Sequence, residues 1–127
     1  EFTIANVGNP HALIIVEDVD SANLLEYGEL LTADPRFPEG VNVSVMSIED
    51  RDSARLRVYE RGVGPTQACG SAACAAMVLG FQQGLFDQKV TMLQPGGELA
   101  IAWQGHDSLI EMTGPAAFVF QGEYFSH

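Results

Sequence analysis

The run Tyr-Glu-Arg-Gly-Val-Gly-Pro-Thr-Gln-Ala-Cys-Gly-Ser-Ala-Ala-Cys-Ala at residues 59–75 carries a thiol, Cys69, out of a glycine-spaced loop and into an apolar stretch that reads as helix. A cysteine in the first turn of a helix faces unpaired backbone N–H groups and the positive end of the macrodipole. Both favour the thiolate, the form that acts as base or nucleophile. Glu60 and Arg61 add charge close by in sequence. Cys69 is therefore the leading candidate for catalysis.

The other residues that could do chemistry are less telling taken singly. Cys74 lies five residues on, turned about 140° from Cys69 in a helix, so the two thiols cannot readily bond to each other or share a substrate. Cys74 reads as a small buried hydrophobe. His11, His106 and His127 are scattered without ligand spacing, which predicts no metal site. By itself His11 reads as a turn histidine after Pro10, Glu60-Arg61 as a solvated ion pair, and Asn9 and Asn42 as turn and strand-edge residues.

Positioning these groups falls to the elements around them. Residues 2–5 read as a strand, 6–10 as a turn, and the apolar run 12–16 as a strand buried on both faces. Asp20-Ser21 can cap a helix running to about Leu31, with Leu24, Leu25 and Tyr27 on its apolar side. A loop at 34–40 leads to a half-buried strand at 41–46. A second alternating strand at 54–60 puts Leu56 and Val58 on one face and the arginines on the other. From Cys69 to about Gln83 the residues are small or apolar on all sides, the mark of a buried helix. Strands are expected at 89–93, 98–103, 108–112 and 117–120, with a turn at Pro95-Gly96-Gly97. The sum is one α+β domain, a strongly curved, barrel-like mixed β-sheet wrapped around a central apolar helix whose N-terminus opens to a cleft.

Composition narrows the partners. The 127 residues suffice for one domain with a real core, and 46% are hydrophobic. Lys+Arg 6 against Asp+Glu 17 gives a net charge of −11, which offers neither nucleic acid nor an anionic membrane a basic footprint. No apolar run approaches the roughly 20 residues of a bilayer span, and the first residues lack the basic region of a secretory signal. A soluble cytoplasmic protein is expected. The chain begins at Glu1 in what already reads as a strand, as a processed chain or a piece of something longer would.

Six segments in order resemble the C-terminal half of the diaminopimelate epimerase family. They are Val7-Gly8-Asn9-Pro10-His11, Arg36-Phe37-Pro38 with Val41-Asn42-Val43, Tyr59-Glu60-Arg61-Gly62, Thr66-Gln67-Ala68-Cys69-Gly70-Ser71, Pro95-Gly96-Gly97-Glu98-Leu99 and Met112-Thr113-Gly114-Pro115-Ala116. The resemblance implies two pseudo-symmetric domains facing across a cleft, of which this chain, residues 1–127, is one and the N-terminal one is absent. It implies cofactor-independent interconversion of LL- and meso-diaminopimelate on the lysine and peptidoglycan route, with one cysteine from each domain.

Residue by residue, the resemblance makes Cys69 a catalytic cysteine, His11 the histidine that poises it, and Glu60 the glutamate associated with the opposite cysteine. Asn9, Asn42, Glu60 and Arg61 would hold the distal amino-acid end of the substrate, and Gly70 and Ser71 would offer backbone N–H groups to the reacting carboxylate. Val63, Pro65, Ala72 and Thr32-Ala33-Asp34 depart from the family pattern, in loop shape and in the first helical turn. A proline-racemase-like or phenazine-type isomerase is the alternative enzyme. A non-catalytic binding or assembly module is the other reading. One thiol is half of an acid–base pair, so the chain is expected to be inactive alone. The loss of a facing domain would expose apolar cleft surface, so the chain is expected to associate with the missing half or with a second copy as a homodimer.

Overall fold

Strand pairing and alternation build a sheet with two different faces. The computed structural model describes residues 2–105 and 108–114. Within them the order is β1 (Thr3–Asn6), β2 (Pro10–Ile15), α1 (Leu24–Thr32), β3 (Asn42–Asp50), β4 (Ser53–Glu60), β5 (Gly64–Thr66), α2 (Gly70–Gln82), β6 (Lys89–Gln94), β7 (Gly97–Ala102) and β8 (Glu111–Thr113). The strands lie in the order β1-β2-β3-β4-β6-β7-β8, with β5 also paired to β4. β2 runs parallel to β3, and β4 parallel to β6. Parallel neighbours need a long crossover. Helix α1 lies on the first of these, β5 and α2 on the second.

The crossovers lie on opposite faces. Val43 and Val45 of β3 turn towards α1, joining Leu31 and Leu24 in two small clusters. Met46 of β3, with Leu13, Leu56 and Val58, turns the other way and packs with Ala72, Ala73, Ala76 and Met77 of α2 in the main core. The sheet therefore curves around α2. The Arg51 guanidinium staples the β3–β4 turn to the loop after α2, bonding Asp87 Oδ1 at 2.9 Å and the Gly84 carbonyl at 3.1 Å.

The expected curved mixed sheet around an apolar helix is present, with local differences. Helix α1 starts after Asn23, not at Asp20-Ser21. The Asn23 side chain accepts the Glu26 N–H at 3.2 Å and donates to the Glu26 carboxylate at 2.8 Å. Leu25 points to solvent at 51% exposure, because Leu24, Gly28 and Leu31 form the buried stripe. β3 is buried through Ser47, not half-buried, because a helix covers each face. The run 12–16 is buried only at its start, and Ile15 is 41% exposed near the edge of the sheet. β5 was not expected at all: its three residues contain Gly64 and Pro65, poor strand formers held by pairing to β4. Of the strand expected at 108–112 only Glu111 and Met112 pair with β7, and the pairing runs on to Thr113. Helix α2 buries Ala72, Ala73, Ala75, Ala76, Met77, Leu79 and Gly80, while Gly70, Cys74, Val78 and Phe81 form a half-buried stripe along its length. The strand expected at 117–120 lies outside the described residues, as do His106 and His127.

Gly28 shows how closely α1 sits on the sheet. A Cβ built there would overlap the ring of Tyr59 on β4. Alanine should add about 1 kcal/mol of helix propensity but cost about 1–3 kcal/mol in overpacking. Gly28→Ala is thus expected to lower the thermal midpoint. A midpoint raised by the substitution would show that Tyr59 yields freely and that α1 is not tightly seated.

Candidate active site

Strand register gathers three of the polar residues singled out in the sequence at one end of the sheet, and Asn9 and Arg61 lie in the adjoining turns. Ala5 on β1 lies opposite His11 on β2, and His11 lies opposite Asn42 on β3. Val43 lies opposite Tyr59, which carries the row on to Asn42 and Glu60, and Glu60 pairs with Gly64 on β5. Side chains alternate along a strand. His11, Asn42 and Glu60 therefore share the face of Leu13, Met46 and Val58, the face that covers α2.

His11 and Asn42 are held in place by hydrogen bonds. His11 is 1% exposed, and its Nε2 lies 3.1 Å from Asn9 Oδ1. When Nε2–H donates to that oxygen, Nδ1 keeps its lone pair, and Nδ1 has no partner among the described residues. Burial pushes the imidazole below its ordinary value, and the Glu60 carboxylate opposes this more weakly. His11 is therefore a neutral ring at pH 7. Asn42 Oδ1 accepts the Arg61 N–H at 2.7 Å, fixing the turn after β4. The Arg61 stem crosses Gly40, whose φ of +83° suits glycine and where a Cβ would meet Arg61 Cδ at 2.6 Å. Its Nη1 donates to the Glu39 carbonyl at 2.8 Å. Pro10, Phe37, Pro38 and Arg61 help line a pocket of about 370 Å³ beside it.

Cys69, Gly70 and Ser71 form a second group at the N-terminus of α2. Cys69 is the N-cap residue, one position earlier than the first helical turn, with extended backbone at φ −149° and ψ 111°. Its side chain makes no capping bond to the helix backbone; Sγ lies 3.5 Å from Ser71 Oγ. The N–H groups of Gly70, Ser71 and Ala72 have no intrahelical acceptor, as at every helix start. A Cβ on Gly70 would stand 3.1 Å from Met112 Sδ, so β8 lies against this turn. Cys74 is half-buried, more open than expected, and burial and Cys69 together push its thiol up. The chain between the two groups is short, because β5 starts opposite Glu60 and ends three residues before Cys69. Among the described residues no hydrogen bond joins one group to the other.

Sequence reasoning missed Gln94. Its Oε1 accepts the Cys69 N–H at 2.8 Å, and its Nε2 donates to the Cys69 carbonyl at 3.4 Å. The signal was a polar residue in step with Val90 and Met92, at an inward position of an alternating strand. It also missed the buried hydroxyls of Thr3, Ser44 and Thr66, which lie one row behind His11 on the same face.

Comparison with known proteins adds to this geometry. The profile of the family described as Diaminopimelate epimerase matches residues 3–119. A diaminopimelate epimerase of Chromobacterium violaceum is 52% identical over 123 residues, 97% of this chain and 45% of that protein. One of Azotobacter vinelandii is 50% identical with the same coverage. The chain spans about half the length of these relatives. Among solved structures, it superposes on 82% of its length with a hydroxyproline epimerase from Agrobacterium vitis with bound trans-4-OH-L-proline, at a TM-score of 0.62 and 19% identity, covering 37% of that chain. A Bacillus anthracis phenazine biosynthesis protein of the PhzF family gives a TM-score of 0.58 at 18% identity, over 87% of this chain and 37% of that one. At such identities these two show a shared fold alone.

The buried neutral imidazole makes a prediction of sign. Folded His11 binds its proton more weakly than the unfolded side chain, whose ordinary value is 6.5. The unfolded state is therefore protonated first, and stability is complete above about pH 6.5 and lost as pH falls through the lower folded value. Urea midpoints should decline as pH is lowered from about 7 to about 5, and decline less in His11→Gln. Equal declines in the two proteins would contradict a buried neutral His11.

Proposed function

The chain belongs to the diaminopimelate epimerase family, and on that premise we propose that it supplies one of the two proton-transferring faces of a cofactor-independent epimerase that interconverts LL- and meso-diaminopimelate. The observation that carries the reading is the placement of Cys69. The thiol stands at the N-terminus of the core helix, beside three unpaired N–H groups and a short strand away from the polar row.

The chemistry requires two faces. A single base that removes the α-proton and returns it to the same side regenerates the starting stereoisomer. In the forward step a thiolate on one face takes the α-hydrogen as a proton, and the C–H electron pair stays on carbon. A thiol on the other face then gives its proton to that carbon and becomes thiolate. Cys69 is one of these sulfurs in either direction. Between the two transfers the carbanion delocalises into the α-carboxylate, and the N–H groups of Gly70 and Ser71 are suited to stabilise that charge.

Binding falls to the polar row. Asn9, Asn42 and Glu60 can accept from the distal ammonium, and the Arg61 guanidinium matches the distal carboxylate as a fork. His11, neutral and with a free Nδ1, is the acceptor through which Cys69 is poised. The second thiol comes from a facing domain, for which the doubled length of the relatives leaves room. The membership of the sequence family favours this reading over a proline-racemase-like or phenazine-type isomerase, with which the chain shares only the fold. Among the described residues no helix is long and apolar enough to cross a membrane. The names of the relatives support a role in lysine biosynthesis.

Residues 1–127 purified alone and incubated with LL-diaminopimelate are expected to form no meso isomer, while a protein joining this domain to a second cysteine domain forms it. Conversion by the lone chain, abolished by Cys69→Ala, would show that copies of this domain suffice and that no different half is needed.

A further inference from the structure

We propose that Gln94 is the positioning residue of Cys69, an inference that rests on reading Cys69 as the proton-transferring thiol. Along β6 the inward positions are Val90, Met92 and Gln94, and the first two are fully buried in the core. Gln94 follows them inward at 8% exposure. A buried amide must find partners. Gln94 spends both its ends on one residue, the N–H of Cys69 at 2.8 Å and the carbonyl of Cys69 at 3.4 Å. That carbonyl also accepts the Ala73 N–H at 3.1 Å, the first bond of α2.

The grip falls where the sheet forks. β4 pairs with β6 only through Ser53–Arg55 and with β5 only through Val58–Glu60. Past Leu93, β6 leaves β4, and the segment from β5 to α2 runs beside its end. Three bonds tie that segment to the β6–β7 turn: the two from Gln94, and Gly96 N–H to the Gln67 carbonyl at 2.7 Å. A Cβ on Gly96 would come within 3.1 Å of that same oxygen, so the two segments approach tightly there.

Two consequences follow for the thiol. The amide pair holds Cys69 extended, which aims Sγ at Ser71 over the end of the helix. Gln94 also takes up the Cys69 N–H, so the donors left open at the helix start are those of Gly70, Ser71 and Ala72. A transferring group misplaced by about 1 Å can lose about a hundredfold in rate, which is why such a grip on its backbone matters.

Gln94→Met keeps a similar volume and removes both bonds. Iodoacetamide labelling of the purified protein, followed site by site by mass spectrometry, then reads Cys69 against Cys74 in one sample. The Gln94→Met protein should label Cys69 about fivefold or more slowly at pH 7, because a thiol whose backbone is released no longer stands over the open N–H groups of the helix start. Cys74, five residues along the same helix, should label within about twofold of wild type. A Cys69 rate unchanged or faster, or a slowing shared equally by Cys74, would overturn the proposal, since a loss of general structure moves both thiols. Should Gln94→Met fail to fold, amide exchange in the wild-type protein decides: a protected Cys69 N–H supports the bond to Gln94, and free exchange overturns it. Labelling needs no substrate, so a failure of the epimerase reading, seen as unaltered turnover in Cys69→Ala, remains distinguishable from a failure here.

Discussion

A helix can lie inside the curve of a sheet only when its side chains let the strands close around it, and α2 satisfies that constraint with alanine. Ala72, Ala73, Ala75 and Ala76 are at most 2% exposed, and Ala72, Ala73 and Ala76 join Leu56, Val58, Met92 and Ile101 in the main core. Larger groups, Met77 and Leu79, come only in the later turns. Each fully buried Leu, Val, Ile or Met contributes about 1.5–3 kcal/mol through area removed from water, and each alanine less. Together these contacts leave the helix axis little freedom. The direction of the axis determines where its first turn opens, and so where Cys69 stands.

The second determinant is register. Because side chains alternate with a period of two, a one-residue slip of β2 against β3 would turn His11 to the face of α1 and expose Leu13 to the wrong layer. The hydrophobic pattern of the core thus also fixes His11, Asn42 and Glu60 on the α2 side. Burial then sets the chemistry of the row. A neutral imidazole with a free Nδ1 is an acceptor, and the carbonyl of Asn42, which accepts the Arg61 N–H, keeps a second lone pair. The polar end of the sheet and the open end of the helix belong to one inner face.

How much of this was legible beforehand depended on whether the signal was local. The α2 segment, Leu56 and Val58, and the Pro95-Gly96 turn follow from periodicity and turn chemistry, and each is where the sequence places it. The family resemblance, drawn from six ordered segments, anticipated the residues that converge at the sheet end. What stayed hidden was set by tertiary contact. β5 exists because Glu60 and Val58 offer it a paired edge, and nothing in Gly-Pro-Thr announces a strand. Asn23 displaced Asp20-Ser21 as the cap because the stripe of Leu24, Gly28 and Leu31 had to meet the sheet. Gln94 was visible only as a polar residue out of character with its strand. Its partner, 25 residues earlier, could be found only in three dimensions.

The site as proposed turns on Cys69 as the group that moves the α-proton on one face. Its most direct measurement is the rate of LL-to-meso and meso-to-LL conversion by the two-domain protein carrying Cys69→Ala, with circular dichroism confirming that it is folded. Loss of general acid–base catalysis by this thiol predicts a fall of about a hundredfold to ten-thousandfold in both directions. Conversion at the wild-type rate in either direction would contradict the account and return Cys69 to the role of an N-cap residue in a core helix.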